Sequence, residues 1–541
     1  MESRPNILWI TFEDTSPRYG CYGDPAARTP HVDRIAREGC LYTRAFSTAG
    51  VCAPARSAII TGQYASSMGA HHMRTSHTNP HAPEVPTPYE AVPAPWVRLL
   101  PERFRCAGYY CTNNEKTDYQ FKPPFTAYDD WSNRADWRGR ADGQPFFAIF
   151  NLNDSHESGF WLPEDKPVPD EGPYEPTDPG AVTLPPYLPD TPEARAALAR
   201  HYDCIHLMDR KLGRLLTRLE EDGELENTII VVWSDHGSGM PRGKRWPYDA
   251  GIHVPLVVRA PGVVEPGTTS DRLVSTLDLP ATMLSLAGMP VPPTFHSRPF
   301  LGEQAVAERE HIFAHRDRHD VTYDKVRAVR DRRFKYIRND FPDMPLINWQ
   351  PYRDISPVMR SLWQWRIDHP DTKGTAIDLL FQPVRPPEEL YDTENDPWEI
   401  HNLAENPDYR ETRDALRTAL AAWECAYDPY GDWSEEQLVA FFQPGGEQPV
   451  TATPLWVPQN GKDRHEPTEG TLELAGPLIL QLAVATHGAS IGWRRSTDPA
   501  GVWRPYHRDI RIEAGETVTL EARAQRIGYQ PSTVRTLTVR A

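Results

Sequence analysis

The sequence predicts an α/β catalytic domain (1–325), a smaller C-terminal α+β subdomain (326–442), a linker (443–467) and an appended β-sandwich (468–541). Three observations predict it. Up to about residue 325, short apolar runs ending in polar residues alternate with helical periodicity, as in an α/β layer. After 325 the pattern changes to a hairpin, a strand and one helix. The last stretch holds short strands separated by turn residues.

The chain has 541 residues, enough for several domains. Hydrophobic residues make up 39%, which excludes wholesale disorder, and 55 prolines against 34 glycines point to rigid loops. With 58 Lys and Arg against 75 Asp and Glu, the net charge of −17 excludes a generic nucleic-acid binder. It leaves room for an anionic substrate in a locally basic site. No apolar run is long enough to span a membrane, so no membrane partner is expected. Seven dispersed cysteines with no CxxC pair argue against a disulfide framework or a structural zinc site. The N-terminus enters an apolar strand directly, without a basic n-region. This reads as a cytoplasmic chain, or as a periplasmic or secreted one after signal removal.

Asn6–Phe12 is a nearly continuous apolar run, expected as a buried strand ending in the acids Glu13 and Asp14. In open α/β sheets ligands bind at the carboxyl ends of strands. Thr29-Pro30 opens a helix, with Thr29 as its cap. Phe146–Leu152 is a second buried strand, followed by Asn153, Asp154 and His156. Residues 159–192, rich in Pro, Asp and Glu, read as a long surface loop. From Thr191-Pro192, the spacing of Leu198, Tyr202, Ile205, Met208, Leu212, Leu215 and Leu219 predicts an amphipathic helix ending near Gly223. Thr228–Trp233 is a third strand, leading into Ser234-Asp235-His236-Gly237. Residues 326–330 and 334–338 form the hairpin, residues 389–392 add a strand and 408–425 a helix.

The segment Cys52-Ala53-Pro54-Ala55-Arg56, trailed by Thr61-Gly62, carries the strongest signal for chemistry. Pro54 suits a helix start, which puts Cys52 at a helix N-terminus where the backbone favours an anion. Arg56, one turn on, supplies a cation. Glu13-Asp14 and Asp235-His236 each follow a buried strand, where ligands bind in such sheets.

These residues resemble the type I sulfatases, whose signature is C-x-P-x-R. The resemblance covers most of residues 5–425. It takes in Thr29–Asp33, Leu390-Tyr391-Asp392, Asp396–Glu399 and Asn402–Ala404. Stretches 185–195, 202–209 and 389–404 are most like the heparan N-sulfatase (sulfamidase) branch. The resemblance implies an alkaline-phosphatase-like core and a sulfatase that removes sulfate from a sulfated saccharide, glycosaminoglycan N-sulfoglucosamine included. It implies that a separate formylglycine-generating enzyme converts Cys52 to formylglycine, whose hydrated aldehyde is the nucleophile. It implies a divalent metal, calcium with manganese or zinc as alternatives, held by Glu13, Asp14, Cys52, Asp235 and His236. Arg56, Lys116 and Lys244 would hold the nucleophile and the sulfate, and His156 would protonate the leaving group.

Three departures stand out. Glu13 replaces the usual Asp, Ala55 stands where Ser is common, and Asp118 stands where many members have a histidine. The expected substrate-side residues are His71, His72 and Arg74 after the signature helix, and His315, Asp317 and Arg318 after a strand. In the β-sandwich, Trp493 or Trp503 could stack on glycan, although packing is the commoner use of such modules. The rival readings are an O-sulfatase of another polysaccharide, a phosphonate or phosphodiester hydrolase of the same superfamily, and an inactive glycan-binding protein.

Overall fold

The computed structural model describes residues 4–75, 88–161, 174–461, 466–474, 476–499 and 501–541. The chain divides into two compact units. Described residues 4–74, 149–161 and 174–432 form the first. Described residues 75, 88–148 and 433–541 form the second.

The first unit is built on a mixed sheet. Its strands run in the order Phe146–Leu152 (whose last four residues belong to this unit), Asn6–Phe12, Thr228–Trp233, His253–Arg259, Cys40–Phe46 and Thr268–Ser275. Asn6–Phe12 and Thr228–Trp233 pair in parallel from Asn6↔Thr228 to Thr11↔Trp233. Both are buried along their whole length, as their unbroken apolar runs require. The parallel register brings their carboxyl ends side by side, so Glu13-Asp14 and Asp235-His236 leave the sheet together. His253–Arg259 is antiparallel to both of its neighbours.

The long helix runs Pro192–Glu221, and the Thr191 side chain caps it by accepting from Ala194 N at 3.2 Å. The helix Pro30–Glu38 follows Thr29 as expected, but Thr29 is not its side-chain cap. Asp209 of the long helix takes that role, accepting from the backbone N–H groups of His31 (3.1 Å) and Val32 (2.8 Å). Thr29 Oγ1 instead accepts from Gly20 N and donates to Asp33. A carboxylate from a distant helix satisfies the orphan N–H groups better than the local hydroxyl can reach them.

The smaller sheet of this unit is antiparallel, ordered Glu388–Asp392, Phe334–Asn339, Val326–Arg330, Ile312–Arg316. Its hairpin turns at Asp331-Arg332-Arg333, and the helix Arg410–Tyr427 packs on it. In the expected 159–192 loop, the described residues include the end of a short helix, Glu157–Phe160, and a 3-10 turn at Pro179–Ala181; residues 162–173 lie outside the described residues.

The second unit joins two distant stretches of sequence. The C-terminal sandwich stacks a three-stranded sheet (Leu455–Gln459, Leu478–Ala483, Ile510–Ile512) on a five-stranded one. Trp456, Leu480, Leu520, Leu537 and Val539 lie in its core. Leu455–Gln459 falls within 443–467, which was expected to be a linker. Trp456 is fully buried there, and the alternation of buried positions makes the segment a strand despite Pro458. Residues 462–465 of that span lie outside the described residues. The sandwich packs on residues 88–148. Arg98 Nη1 donates to Gly488 O at 2.8 Å, and Arg105 Nη2 donates to Trp503 O at 2.7 Å. Gly492 lies so close to Phe125 that a Cβ would meet its ring at 2.5 Å.

All seven cysteines are free thiols, and no helix among the described residues is long and apolar enough to cross a membrane.

Candidate functional site

Cys52 is the first residue of the helix Cys52–Thr61, every residue of which is buried. Gly62, at φ +69°, ends it in the left-handed conformation that glycine adopts without cost. Pro54 falls inside the first turn, where its missing N–H breaks no helical bond. The helix start thus aims its N-terminal backbone dipole at the carboxyl ends of the two parallel strands.

Four elements converge there. Cys52 Sγ lies 3.5 Å from Glu13 Oε1, 4.0 Å from Asp14 Oδ1 and 3.1 Å from His236 Nε2. Asp14, Cys52, Asp235 and His236 present ligand atoms within 4.8 Å of one another, as do Glu13, Asp14, Cys52 and His156. Asp14 sits at φ +53°, a strained setting that turns its carboxylate inward. Its Oδ2 accepts from Lys244 Nζ (2.7 Å) and Glu157 N (2.8 Å), while Oδ1 faces His236 Nε2 at 3.1 Å. Burial would raise its pKa, but Lys244, His236 and His156 outweigh that and hold it well below the usual carboxylate range.

His236 Nδ1 lies 2.9 Å from Gly237 O. A carbonyl only accepts, so Nδ1 carries the hydrogen and the neutral ring presents the Nε2 lone pair to the cluster. Burial opposes the imidazolium, yet Asp235, Cys52 and Asp14 raise the pKa well above its ordinary value. The donor set is three buried carboxylates, one imidazole nitrogen and the Cys52 side chain. Among the described residues, the buried cations Arg56 and Lys244 contact these carboxylates. A buried set of carboxylate oxygens with one imidazole nitrogen fits a divalent cation.

Arg56 Nε donates to Asp235 Oδ2 at 2.9 Å and Nη1 to Asn151 Oδ1 at 2.8 Å, with Nη2 4.0 Å from Glu13 Oε1. Lys244 also lies 3.3 Å from Glu157 Oε1. Burial disfavours its ammonium, but Asp14, Cys52 and Glu157 hold its pKa well above the ordinary value. His156 Nδ1 is 2.8 Å from Ser158 Oγ.

Lys116 belongs to the second unit, just after the strand Tyr110–Asn114 and 3.9 Å from Asp118 Oδ2. His71 and His72 are buried with ring centroids 4.2 Å apart, and Met73 packs against Cys52. Their loop is locked to the 315–318 segment: Arg318 N donates to His72 Nδ1, and Met73 N donates to Arg318 O at 3.0 Å. Asp317 accepts from His315 Nδ1 and from Arg327 Nη2, both at 2.9 Å. Its carboxylate therefore holds the His315 ring in place rather than facing outward. The Arg74 guanidinium carbon lies 5.3 Å from the Tyr352 ring centroid, and the same ring is 6.2 Å from that of His156.

Sequence reasoning missed Glu157, Arg245, Asn151, His201 and Tyr352. Arg245 pairs with both oxygens of Glu157 at 2.7 Å, behind Lys244. Burial would raise Glu157, but Arg245 and Lys244 bring it down to about 2. His201 Nε2 donates to Asp14 O at 3.1 Å. Glu157 and Arg245 directly follow the expected His156 and Lys244, and that adjacency was the available signal.

The fold is the alkaline-phosphatase-like α/β fold. The sulfatase family model matches residues 5–138 and 109–289, and the C-terminal model of N-sulphoglucosamine sulphohydrolase matches 241–345. The chain belongs to the sulfatase family and is a sulfuric ester hydrolase. It is 38% identical to an ulvan-active sulfatase of Formosa agariphila, over 98% of this chain and 91% of that one. It is 28% identical to human N-sulphoglucosamine sulphohydrolase, over 79% of this chain and 92% of that one. Among solved structures it resembles one described in complex with its substrate D-glucosamine-2-N,6-O-disulfate. The TM-score is 0.55 at 18% identity, covering 80% of this chain and 100% of that one.

Proposed function

We propose that the protein removes sulfate esters from an anionic polysaccharide, with Cys52 converted to formylglycine by a separate modifying enzyme. The observation that carries this reading is the seat of Cys52. It starts a buried helix 3.1 Å from His236 Nε2 and 3.5 Å from Glu13 Oε1. Glu13, Asp14, Asp235 and His236 would hold the divalent cation. Three carboxylates favour calcium, and the imidazole admits manganese or zinc. The cation supplies Lewis-acid stabilisation of negative charge, and formylglycine supplies, as its hydrate, the attacking oxygen.

The chain's own residues do the rest. The helix N-terminus and Arg56 favour an anion at position 52. Arg56 is fixed by Asp235 and Asn151, so its charge is pre-oriented. Lys244, held by Asp14 and Glu157, and Lys116 are the proposed cations for the sulfate. His156, with Nδ1 engaged by Ser158, carries the proton for the leaving oxygen on Nε2. Arg74 is the proposed contact for the saccharide; its guanidinium carbon lies 5.3 Å from the Tyr352 ring centroid, which is itself 6.2 Å from that of His156.

Ulvan is the favoured polymer, because the ulvan-active relative matches nearly the whole chain. The sulfamate of N-sulfoglucosamine is second, on the weaker and shorter match. The test is peptide mass spectrometry of Cys52 in protein co-produced with the modifying enzyme, beside sulfate release from ulvan oligosaccharides and from N-sulfoglucosamine. A loss of about 18 Da at Cys52, with release from ulvan, is expected. Release from N-sulfoglucosamine alone would replace the substrate, and an unmodified but fully active cysteine would overturn the mechanism.

A further inference from the structure

A cavity of about 680 Å³ opens in the first unit, and neither Cys52, Arg56, His156, His236 nor Lys244 lines it. Its volume lies within the roughly 300–1,000 Å³ typical of small-molecule sites. Loops 16–26, 181–187 and 393–399 frame it, with strands of both sheets behind them.

Arg18 is the distinctive residue of its wall. Among the described residues its guanidinium makes one hydrogen bond, Nη1 to Tyr202 Oη at 3.1 Å, and no carboxylate pairs with it. The other wall arginines are compensated. Arg44 pairs with Glu394 at 3.1 Å, Arg330 with Asp249 at 3.1 Å, and Arg332 with Asp271 and Glu308 at 2.9 Å each. Tyr202 donates onward to Asp24 Oδ2 at 2.6 Å, so a guanidinium, a phenol and a carboxylate stand in a row. Partly exposed Trp398 adds aromatic surface, backed edge-on by the buried Tyr187 ring 6.2 Å away.

We propose that this cavity is a second saccharide site, which holds a sugar of the anionic polymer in addition to the one processed at Cys52. Aromatic rings take the C–H faces of a pyranose. Asp24 accepts from its hydroxyls, and the Arg18 fork takes one sulfate or carboxylate in two-point fashion. One uncompensated guanidinium suits one anionic group per sugar, not the several charges of a nucleotide polyphosphate. Two contacts on one chain raise apparent affinity for the polymer without changing the chemistry. The inference rests on the polysaccharide reading above.

The experiment compares wild type, Arg18→Ala and Trp398→Ala on sulfated ulvan polymer and on a small aryl sulfate. It also measures binding of ulvan oligosaccharides by calorimetry to a Lys244→Ala background with and without Arg18→Ala. Both cavity variants should raise KM on polymer at least about fivefold, with kcat on polymer and both constants on aryl sulfate unchanged. Calorimetry should show binding in Lys244→Ala that Arg18→Ala removes. Equal losses on polymer and aryl sulfate, or no change on either, would overturn the second site. Polymer hydrolysis that ignores Arg18 sinks the cavity and leaves the polysaccharide reading standing. Arg18-dependent binding without polymer hydrolysis does the reverse.

Discussion

His236 Nε2 lies 3.1 Å from Cys52 Sγ, and the opposite ring nitrogen is tied to the Gly237 carbonyl at 2.9 Å. One backbone hydrogen bond therefore fixes the ring so that Nε2 faces Cys52 and Asp14 Oδ1 together. This arrangement supports the proposed cation site, and chelation tests it. Excess chelator should abolish sulfate release and lower the melting temperature, and added calcium should restore both. His236→Ala should weaken the metal by more than the roughly 10–100-fold typical of losing an outer-sphere partner. Activity that persists in excess chelator would count against the site.

Glu157 binds Arg245 through both oxygens at 2.7 Å and meets Lys244 at 3.3 Å, with all three side chains buried. Removing one partner of such a pair strands the other charge, at about 3–5 kcal/mol. Glu157→Ala should lose about that much in urea unfolding and should also slow turnover, because Lys244 loses a fixed neighbour. The folded pKa lies below the unfolded one, so the stabilisation is present above about pH 4.5 and is lost as the pH falls through about 2. A variant with wild-type stability at pH 7 would show the pair to be ornamental.

Two partly buried histidines add pH dependence at milder acidity. His296 Nδ1 accepts from Tyr64 N at 3.1 Å, and burial, with help from Arg309, depresses its pKa to about 4. His253, stacked on Phe46, is also brought to about 4 by burial. The unfolded chain takes up these protons first. Each histidine thus contributes stability that is present above about pH 6.5 and lost toward pH 4, at no more than about 1.4 kcal/mol per pH unit. Protonating His296 also puts a hydrogen on the atom that accepts from Tyr64. Thermal unfolding from pH 7 to 5 should show a smaller drop in His296→Asn, whose amide oxygen can still accept from Tyr64. Parallel curves for the two proteins would refute this.

The cluster was legible because each part announces itself locally. Glu13-Asp14 and Asp235-His236 end apolar strands, and Cys52-x-Pro-x-Arg56 starts a helix. The parallel pairing of Asn6–Phe12 with Thr228–Trp233 then brings those ends together. What stayed hidden depends on contacts without local pattern. Nothing near Thr29 says that Asp209 will cap its helix. Nothing in Gly492 says that it faces Phe125. The 443–467 span reads as a linker by composition, yet Trp456 is a core residue of the sandwich. Proline and glycine content reports chain stiffness and turns, not whether a neighbouring sheet offers a partner strand.

Trp503 separates the two uses of the C-terminal module. A glycan-stacking tryptophan must show its face to solvent, and Trp503 is only 7% exposed. It packs edge-on to Phe125 at 5.4 Å, with the Arg494 and Arg523 guanidinium carbons 4.8 and 5.7 Å from its ring centroid. Its carbonyl accepts from Arg105 Nη2 at 2.7 Å, so side chain and backbone both bind the sandwich to residues 88–148. Trp503→Ala should therefore destabilise the protein by about 3–5 kcal/mol, as for other large buried aromatics. Oligosaccharide affinity, measured below the lowered melting temperature, should be unchanged. The opposite pattern, intact stability with weakened glycan binding, would reassign Trp503 to recognition. Simultaneous loss of both would place the packing of this unit upstream of substrate binding.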